Sequence, residues 1–327
     1  MTIRQRASVT LRPFAENDYA AVVDISNESY PDYAWTVAEL RHMDDDWTPE
    51  GYFRRRIIAD EGGGPVGYCD VSNSRGQFVA ENFNIDLVVR PAARRQGIGT
   101  TLFEDAVSAL RPRNARWIRA GVKESDTHSI AFAKHVAAVE LKRDWESRLD
   151  LAAFDPAPFA GAPKRAEAAG VRITTLADEL RTDPEAVRKA YALHAEARLD
   201  VPSLDRPTPS PFERFEDEVL RSPWALPEAY FIAIRDGGYV GESALATEGA
   251  DPTVIYQQLT AVRRDERGKG IAMALKLRAV AYAKERGFRE IRTWNASINR
   301  PMLAINEALG FAKQPAWITF GRDLSAA

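Results

Sequence analysis

The sequence predicts an α/β chain made of two copies of one domain, each a β-sheet flanked by helices. Three observations carry this. VVRPAARRQGIG (88–99) superposes without gaps on AVRRDERGKGIA (261–272), so that Val89, Arg90, Arg94, Gly97 and Ile98 recur as Val262, Arg263, Arg267, Gly270 and Ile271. A β-branched, apolar run precedes each copy, and an amphipathic helical pattern follows it. Between the copies, LAAFDPAPFAGAPKRAEAAG (151–170) is rich in Ala, Pro and Gly without periodicity and reads as a linker. The predicted division is a first domain over 1–152, a linker over 153–170 and a second domain over 171–327. A chain of 327 residues suits two units of about 150.

Taken in order, TLRPFAENDYAAVVDISN (10–27) reads as an opening strand and helix. RRRIIADEGGGPVGYCDVS (54–72) and AYFIAIRDGGYVGESALAT (229–247) read as hairpins around Gly-rich turns. NFNIDLVV (82–89) and TVIYQQLTAV (253–262) are the strands that feed the repeated loop. After the loop, Ile98, Leu102, Ala106 and Leu110 mark one helix face that Pro112 ends. Ile271, Leu275 and Ala279 repeat that spacing, with Gly287 as the C-terminal stop. Short strands follow at ARWIRAGV (115–122) and REIRTWN (289–295). A further helix is predicted over 183–199, with Asp183 as N-cap and Pro184 at its first position. WESRLDL (145–151) and WITFGRDL (317–324) share a Trp start and strand alternation, so each is expected to close its own half. DVPSLDRPTPSPFERFED (200–217) reads as a long Pro-rich loop.

Composition narrows the function classes. With 45% hydrophobic and 28% charged residues the chain is an ordinary globular one, and a net charge of −3 supplies no field for nucleic acid or an anionic membrane. Cys69 is the single cysteine, so no intrachain disulfide or Cys-based metal cluster is expected. No run approaches the length of a membrane span, and MTIRQRASVTLRPF lacks the apolar core of a signal peptide, so a cytoplasmic location is expected.

The repeated loop carries the chemistry. A strand that turns through R-x-x-G-x-G/A into a helix aims several backbone N–H groups, at the positive end of the helix dipole, towards one point. That is a pyrophosphate seat. Gly97 and Gly270 allow close approach of phosphate oxygens, Gly99 and Ala272 keep the next turn slim, and Arg94, Arg95, Arg267 and Lys269 can add positive charge. Neither copy has the third glycine of a dinucleotide fingerprint or the Lys-Ser/Thr of a Walker loop.

On these residues the chain resembles the GNAT superfamily of acetyl-CoA-dependent acyltransferases, whose hallmark is R/Q-x-x-G-x-G/A. TWNASINRPMLAINEALGF (293–311) looks like the close of tandem GNAT proteins, a group that includes mycothiol synthase-like enzymes. The resemblance implies mixed, mostly antiparallel sheets in which the fourth and fifth strands splay apart. Acetyl-CoA would then lie in the gap, and a primary amine would attack its thioester directly, without a covalent acyl-enzyme. The implied acetyl-CoA contacts are Val88, Val89, Arg94, Arg95, Gln96, Gly97, Ile98, Gly99 and Thr100 in the first copy. In the second they are Ala261, Val262, Arg267, Gly268, Lys269, Gly270, Ile271 and Ala272, with Asn295, Asn299 and Asn306. Asn295 would bond the pantetheine amides and Asn299 would cap the last helix.

Catalytic groups are less clearly marked. Many relatives carry a Tyr where this chain has Asn306 and, in the first half, Ala133, so the phenolic acid for the leaving thiolate is missing. Where the family often has a strand-four Glu, this chain has Phe83 and Tyr256. The proposed catalytic set is Glu242, Tyr256 and Asn306, with Glu81 or Asp86 as substitutes for the base in the first half and His194 on the acceptor side. Cys69 is expected to be a core residue. The second domain is favoured as the catalytic one, because the first, VKESDTHSIAFAKHVAAVEL (122–141), lacks the Asn block. It is expected to be degenerate or a second CoA site. The expected acceptor is a small-molecule or peptide amine, with no nucleic acid, membrane or metal partner and a monomer or homodimer as the assembly. A non-catalytic acyl-CoA sensor or scaffold is the alternative.

Overall fold

The structure is a computed structural model that describes residues 9–45, 47, 51–247 and 249–325; MTIRQRAS (1–8) lies outside the described residues. In chain order the first half runs through β1 (Thr10–Pro13), α1 (Tyr19–Ser29), α2 (Val37–Asp45), β2 (Arg54–Glu61), β3 (Gly64–Asn73), β4 (Asn82–Val89), α3 (Ile98–Leu110), β5 (Trp117–Lys123) and α4 (Thr127–His135). Then come β6 (Val139–Asp150), α5 (Gly161–Ala168), β7 (Arg172–Thr175), α6 (Leu176–Glu179), α7 (Ala186–Arg198), α8 (Phe212–Leu220), β8 (Tyr230–Arg235), β9 (Gly238–Ala246) and β10 (Val254–Val262). The chain ends through α9 (Ile271–Glu285), β11 (Glu290–Ala296), α10 (Arg300–Ala308), β12 (Ala312–Lys313) and β13 (Trp317–Asp323).

Contacts divide the chain into two compact units: residues 1–143 with 317–327, and residues 144–316. This corrects the expected boundaries, because the closing strands are exchanged. The first unit's strands are ordered β1-β2-β3-β4-β5-β13, with β13 from the end of the chain lying antiparallel to β5. In the second unit the 144–150 stretch of β6 precedes β11, β10, β9, β8 and β7, and the short β12 also pairs with β6. Trp145 and Trp317 therefore mark equivalent strands that each serve the other half. In both units only the fourth and fifth strands run parallel, β4 with β5 and β10 with β11. The helix crossover that a parallel pair demands is α3 in one unit and α9 in the other.

Both helices bury the stripe that the sequence showed. Leu102, Ala106 and Leu110 are fully buried on α3, as are Leu275, Ala279 and Ala283 on α9. Each sheet is covered on its second face as well, by α1 and α2 in the first unit and by α7 and α8 in the second. The expected linker is a correction too. Residues 153–170 include α5, whose Ala166 joins the α9 core, and Lys284 Nζ donates to the Phe154 carbonyl at 3.1 Å. The small side chains that made this stretch look structureless let α5 lie close on α9. The 200–217 loop likewise turns helical at Phe212 and buries Phe215. α7 begins at Ala186, later than the predicted Asp183 cap. Asp183 instead accepts from the Glu185 N–H at 2.9 Å.

One repeated glycine was not singled out by the sequence. Gly67 pairs with Val89 and Gly241 with Val262, so each stands beside the last residue of the fourth strand. A Cβ on Gly67 would meet the Val88 carbonyl at 2.9 Å, a backbone atom that cannot swing aside. Gly67→Ala is expected to lower the unfolding free energy by about 1–3 kcal/mol, read as a shift of the denaturation midpoint. Gly64→Ala, where the methyl meets nothing within 4 Å, should change it by less than about 0.5 kcal/mol.

Candidate acetyl-CoA site

The two loops have one shape. Arg94 sits at φ −67°, ψ 160° and Arg267 at φ −68°, ψ 161°. The residues after them, Arg95 and Gly268, are left-handed at φ 66° and 79°, and so are the helix caps Gly97 and Gly270 at 91° and 78°. A non-glycine such as Arg95 takes this conformation at a cost of about 1–2 kcal/mol. Alternating left-handed residues turn successive N–H groups inward, and no side chain caps α3 or α9. A Cβ on Gly97 would meet nothing within 4 Å, so the approach to its N–H is open. These donors fit a pyrophosphate.

The motif arginines pin the loop. Arg94 Nε donates to the Val89 carbonyl at 3.0 Å, and Arg267 Nε does the same to Val262 at 3.1 Å. Their outer nitrogens differ. Arg94 Nη2 reaches the Ser29 hydroxyl at 3.1 Å, whereas Arg267, with Arg264, is ion-paired to Asp200. The Arg264 guanidinium in particular pushes the Asp200 carboxyl down to about 2. Lys269 donates to Glu266 at 2.7 Å.

Beyond the loops the parallel strands part. β4 and β5 pair only from Asn82↔Trp117 to Asn84↔Arg119, and β10 and β11 only from Val254↔Glu290 to Tyr256↔Arg292. The remaining residues of β4 and β10 present backbone to a V-shaped gap. The second unit alone adds a register shift, between Gln257 and Thr260 on β10. The shift is tied down by Gln257 Nε2, which donates to the Ala244 carbonyl at 2.7 Å, and by the Ser243–Thr260 hydroxyl contact at 2.9 Å.

In the second unit a cavity of about 680 Å³ runs from the loop to the gap. Ala261, Val262, Arg267, Gly268, Gly270, Ile271, Ala272, Asn295 and Asn299 all line it, and Asn299 caps α10 by accepting from the Met302 N–H at 3.4 Å. The expected catalytic residues are placed differently. Tyr256 is buried and stacks flat on Trp294 at 5.6 Å, outside the wall. Asn306, 1% exposed, stands behind Asn295 and donates to its Oδ1 at 2.7 Å, so it orients the residue that faces the cavity. Glu242 is also buried. It accepts from the Tyr230 hydroxyl, and its Oε1 lies 3.3 Å from His194 Nδ1, an ion-pair distance whose angle falls short of a hydrogen bond. His194 is part-exposed, stacks on Phe215, and precedes by one helical turn the wall residues Ala197 and Arg198.

The sequence missed several wall residues. Asp200 and the shifted Gln258 and Leu259 carried no signal in the loop motif. Lys276 did carry one, since the gapless repeat aligns it with the buried Phe103. It lies on α9, 1% exposed, with Nζ 5.1 Å from the Phe311 ring centre and, among the described residues, no ion-pair partner. Burial alone lowers its affinity for a proton to about 7.

In the first unit Val88, Val89, Arg94, Arg95, Gly97, Ile98, Gly99 and Thr100 line a smaller cavity of about 350 Å³, together with Tyr30, His128 and Phe132; Gln96 is not in its wall. Of the base candidates there, Asp86 keeps solvent access on β4, accepts from the Tyr68 hydroxyl at 2.7 Å, and is held above the usual carboxylate range by its enclosure. Cys69 is a buried core residue whose thiol is pushed up by burial, as its reading as non-nucleophilic required.

Two uncapped helix starts, each opening into a strand gap, define a coenzyme A-binding acyltransferase fold. The chain belongs to the acetyltransferase (GNAT) family, which it matches over residues 19–137 and 196–311. It is thus an N-acetyltransferase with acetyl-CoA as donor, and a non-catalytic role is not favoured. Similar proteins include the mycothiol acetyltransferases of Thermobispora bispora, 27% identical over 72% of this chain and 75% of that one, and Thermobifida fusca, 26% identical over 72% and 73%. Among solved structures, a tandem GNAT protein from the clavulanic acid biosynthesis pathway superposes with a TM-score of 0.71 at 21% identity, covering 97% of this chain and 98% of that one. A GCN5-related N-acetyltransferase from Sphaerobacter thermophilus gives 0.70 at 19%, covering 98% and 97%.

The buried Lys276 makes a stability prediction. Its folded affinity, about 7, lies below the roughly 10.4 of an unfolded lysine, so between these values the unfolded chain binds more protons and stability rises with pH. Lys276→Met is expected to raise the melting temperature at pH 7, with the advantage over wild type shrinking as pH rises towards 10. Equal gaps at both pH values, measured by calorimetry, would contradict it.

Proposed function

We propose that the second unit transfers the acetyl group to a small polar amine, while the first holds a second acetyl-CoA. The observation that carries this is the single second-unit cavity that joins the uncapped start of α9 to the strand gap and is bordered by His194 and Glu242. In this reading the α9 N–H groups hold the pyrophosphate, Asn295, set by Asn306, bonds the pantetheine, and β10 backbone aligns the thioester. His194, backed by Glu242, accepts the proton that the attacking amine must lose. The carboxylate behind the ring favours the imidazolium that this step forms.

The acceptor is proposed as a mycothiol-related small-molecule amine, on the strength of the relatives' names. A net charge of −3 argues against nucleic acid, and a single, buried cysteine suits a cytoplasmic enzyme. Among the described residues no helix is long and apolar enough to cross a membrane.

Calorimetry with CoA and thiol release from acetyl-CoA against an amine panel (L-cysteine, cysteamine, D-glucosamine, an alanyl peptide) test the reading. Gly270→Val forces a β-branched residue to φ 78° and is expected to abolish turnover, whereas Gly97→Val should leave it within about threefold and remove only one bound CoA. His194→Ala should slow transfer by about 100-fold or more without weakening CoA binding. Loss of turnover in Gly97→Val but not in Gly270→Val would reassign catalysis to the first unit.

A further inference from the structure

We propose that Lys276 protonates the departing CoA thiolate in the second unit. The proposal rests on the reading above, which leaves the leaving group without an acid. Asn306 cannot serve, since an amide has no proton to give at neutral pH and this one stands behind Asn295.

The wall of the second cavity contains five ionisable residues: Arg198, Asp200, Glu266, Arg267 and Lys276. Arginines do not release protons in proteins. Asp200 and Glu266 are committed to cations at the phosphate end, Asp200 to Arg264 and Arg267, and Glu266 to Lys269 and Arg235, and both are held as carboxylates. Lys276 remains. It shares the wall with Gln257 and Thr293, the first residues past the last parallel pair, where Thr293 Oγ1 donates to the Gln257 carbonyl at 3.3 Å and closes the vertex of the gap. Burial alone sets its proton affinity, so no charged group on the loop, α7, β10, β11 or α10 acts on it. A donor with an affinity near 7 is well matched to a thiolate at working pH. Position also speaks for function. The aligned Phe103 of the first copy is an ordinary core ring against Phe132, and a buried amine in its place costs stability that packing does not return.

In the step, the amine nitrogen bonds to the carbonyl carbon, the C–S bond breaks with its electron pair on sulfur, and the Nζ proton passes to that sulfur to give the CoA thiol. The extra proton on the new amide nitrogen leaves through His194 to water, and water recharges Lys276.

Hydroxylamine, an amine that is neutral at pH 7, serves as acceptor and makes the test independent of the natural one and of His194. Wild-type acceleration of acetohydroxamate formation from acetyl-CoA should fall as pH rises through about 7. Lys276→Met should bind CoA within about threefold of wild type yet be about 100-fold slower and flat with pH. With thiophenyl acetate, whose thiolate leaves without a proton, the two proteins should agree within about threefold. Lys276→Met that keeps the wild-type rate and pH profile overturns the role of Lys276 alone. Wild type that binds CoA but gives no acceleration overturns the second-unit transfer reading, and this proposal with it.

Discussion

Parallel strands that share only three residue pairs before parting are an expensive arrangement for a folded chain. The backbone beyond the last pair has N–H and C=O groups with no ladder to join, and enclosed polar groups of that kind demand partners. In both units the strand that loses its neighbour runs straight into a loop pinned by an arginine to the strand's last carbonyl, and then into an uncapped helix. Each unit thus collects unsatisfied donors and acceptors along one line, from helix start to gap. A ligand with a pyrophosphate at one end and amides along its arm satisfies them in order, which is why the fold suits coenzyme A and why the glycines at the helix caps have no substitute.

The two copies keep this frame and differ in what they bury. The first fills the inward face of α3 with Phe103, where the second has the amine of Lys276. The first ties its motif arginine to a hydroxyl and the second to a carboxylate. The register shift with its glutamine and hydroxyl cluster, the paired asparagines, and the imidazole over a buried glutamate all belong to the second. Polar groups inside a core are costly unless partnered, and their concentration in one copy marks where chemistry, rather than packing, decided the sequence.

Much of this frame is legible in the sequence alone. The loops, the stripes of α3 and α9, the hairpins and the splayed pair follow from local pattern and from a motif seen twice. Exchange of β6 and β13 was invisible because WESRLDL and WITFGRDL are equivalent strands, and nothing in a strand's own sequence states which equivalent edge it will join. The linker reading failed since alanine and glycine serve tight helix packing as readily as disorder. Tyr256 and Asn306 were assigned by position along the chain, whereas stacking on Trp294 and the bond to Asn295 are made in three dimensions. His194 and Glu242 each looked ordinary alone, and only the approach of α7 to β9 makes them a pair.

The exchanged strand bears on how the chain is made. β5 receives its antiparallel neighbour from residues 317–323, and the cluster of Val122 and Ala133 is completed by Ile318 and Phe320. On the ribosome the first unit therefore waits, with one sheet edge bare and part of its core open, until nearly the whole protein has emerged. Such a distant pairing slows folding and leaves an edge to be shielded meanwhile. For the first unit, synthesis and completion of the fold are the same event, and a chain cut short by its last dozen residues loses a wall at its opposite end.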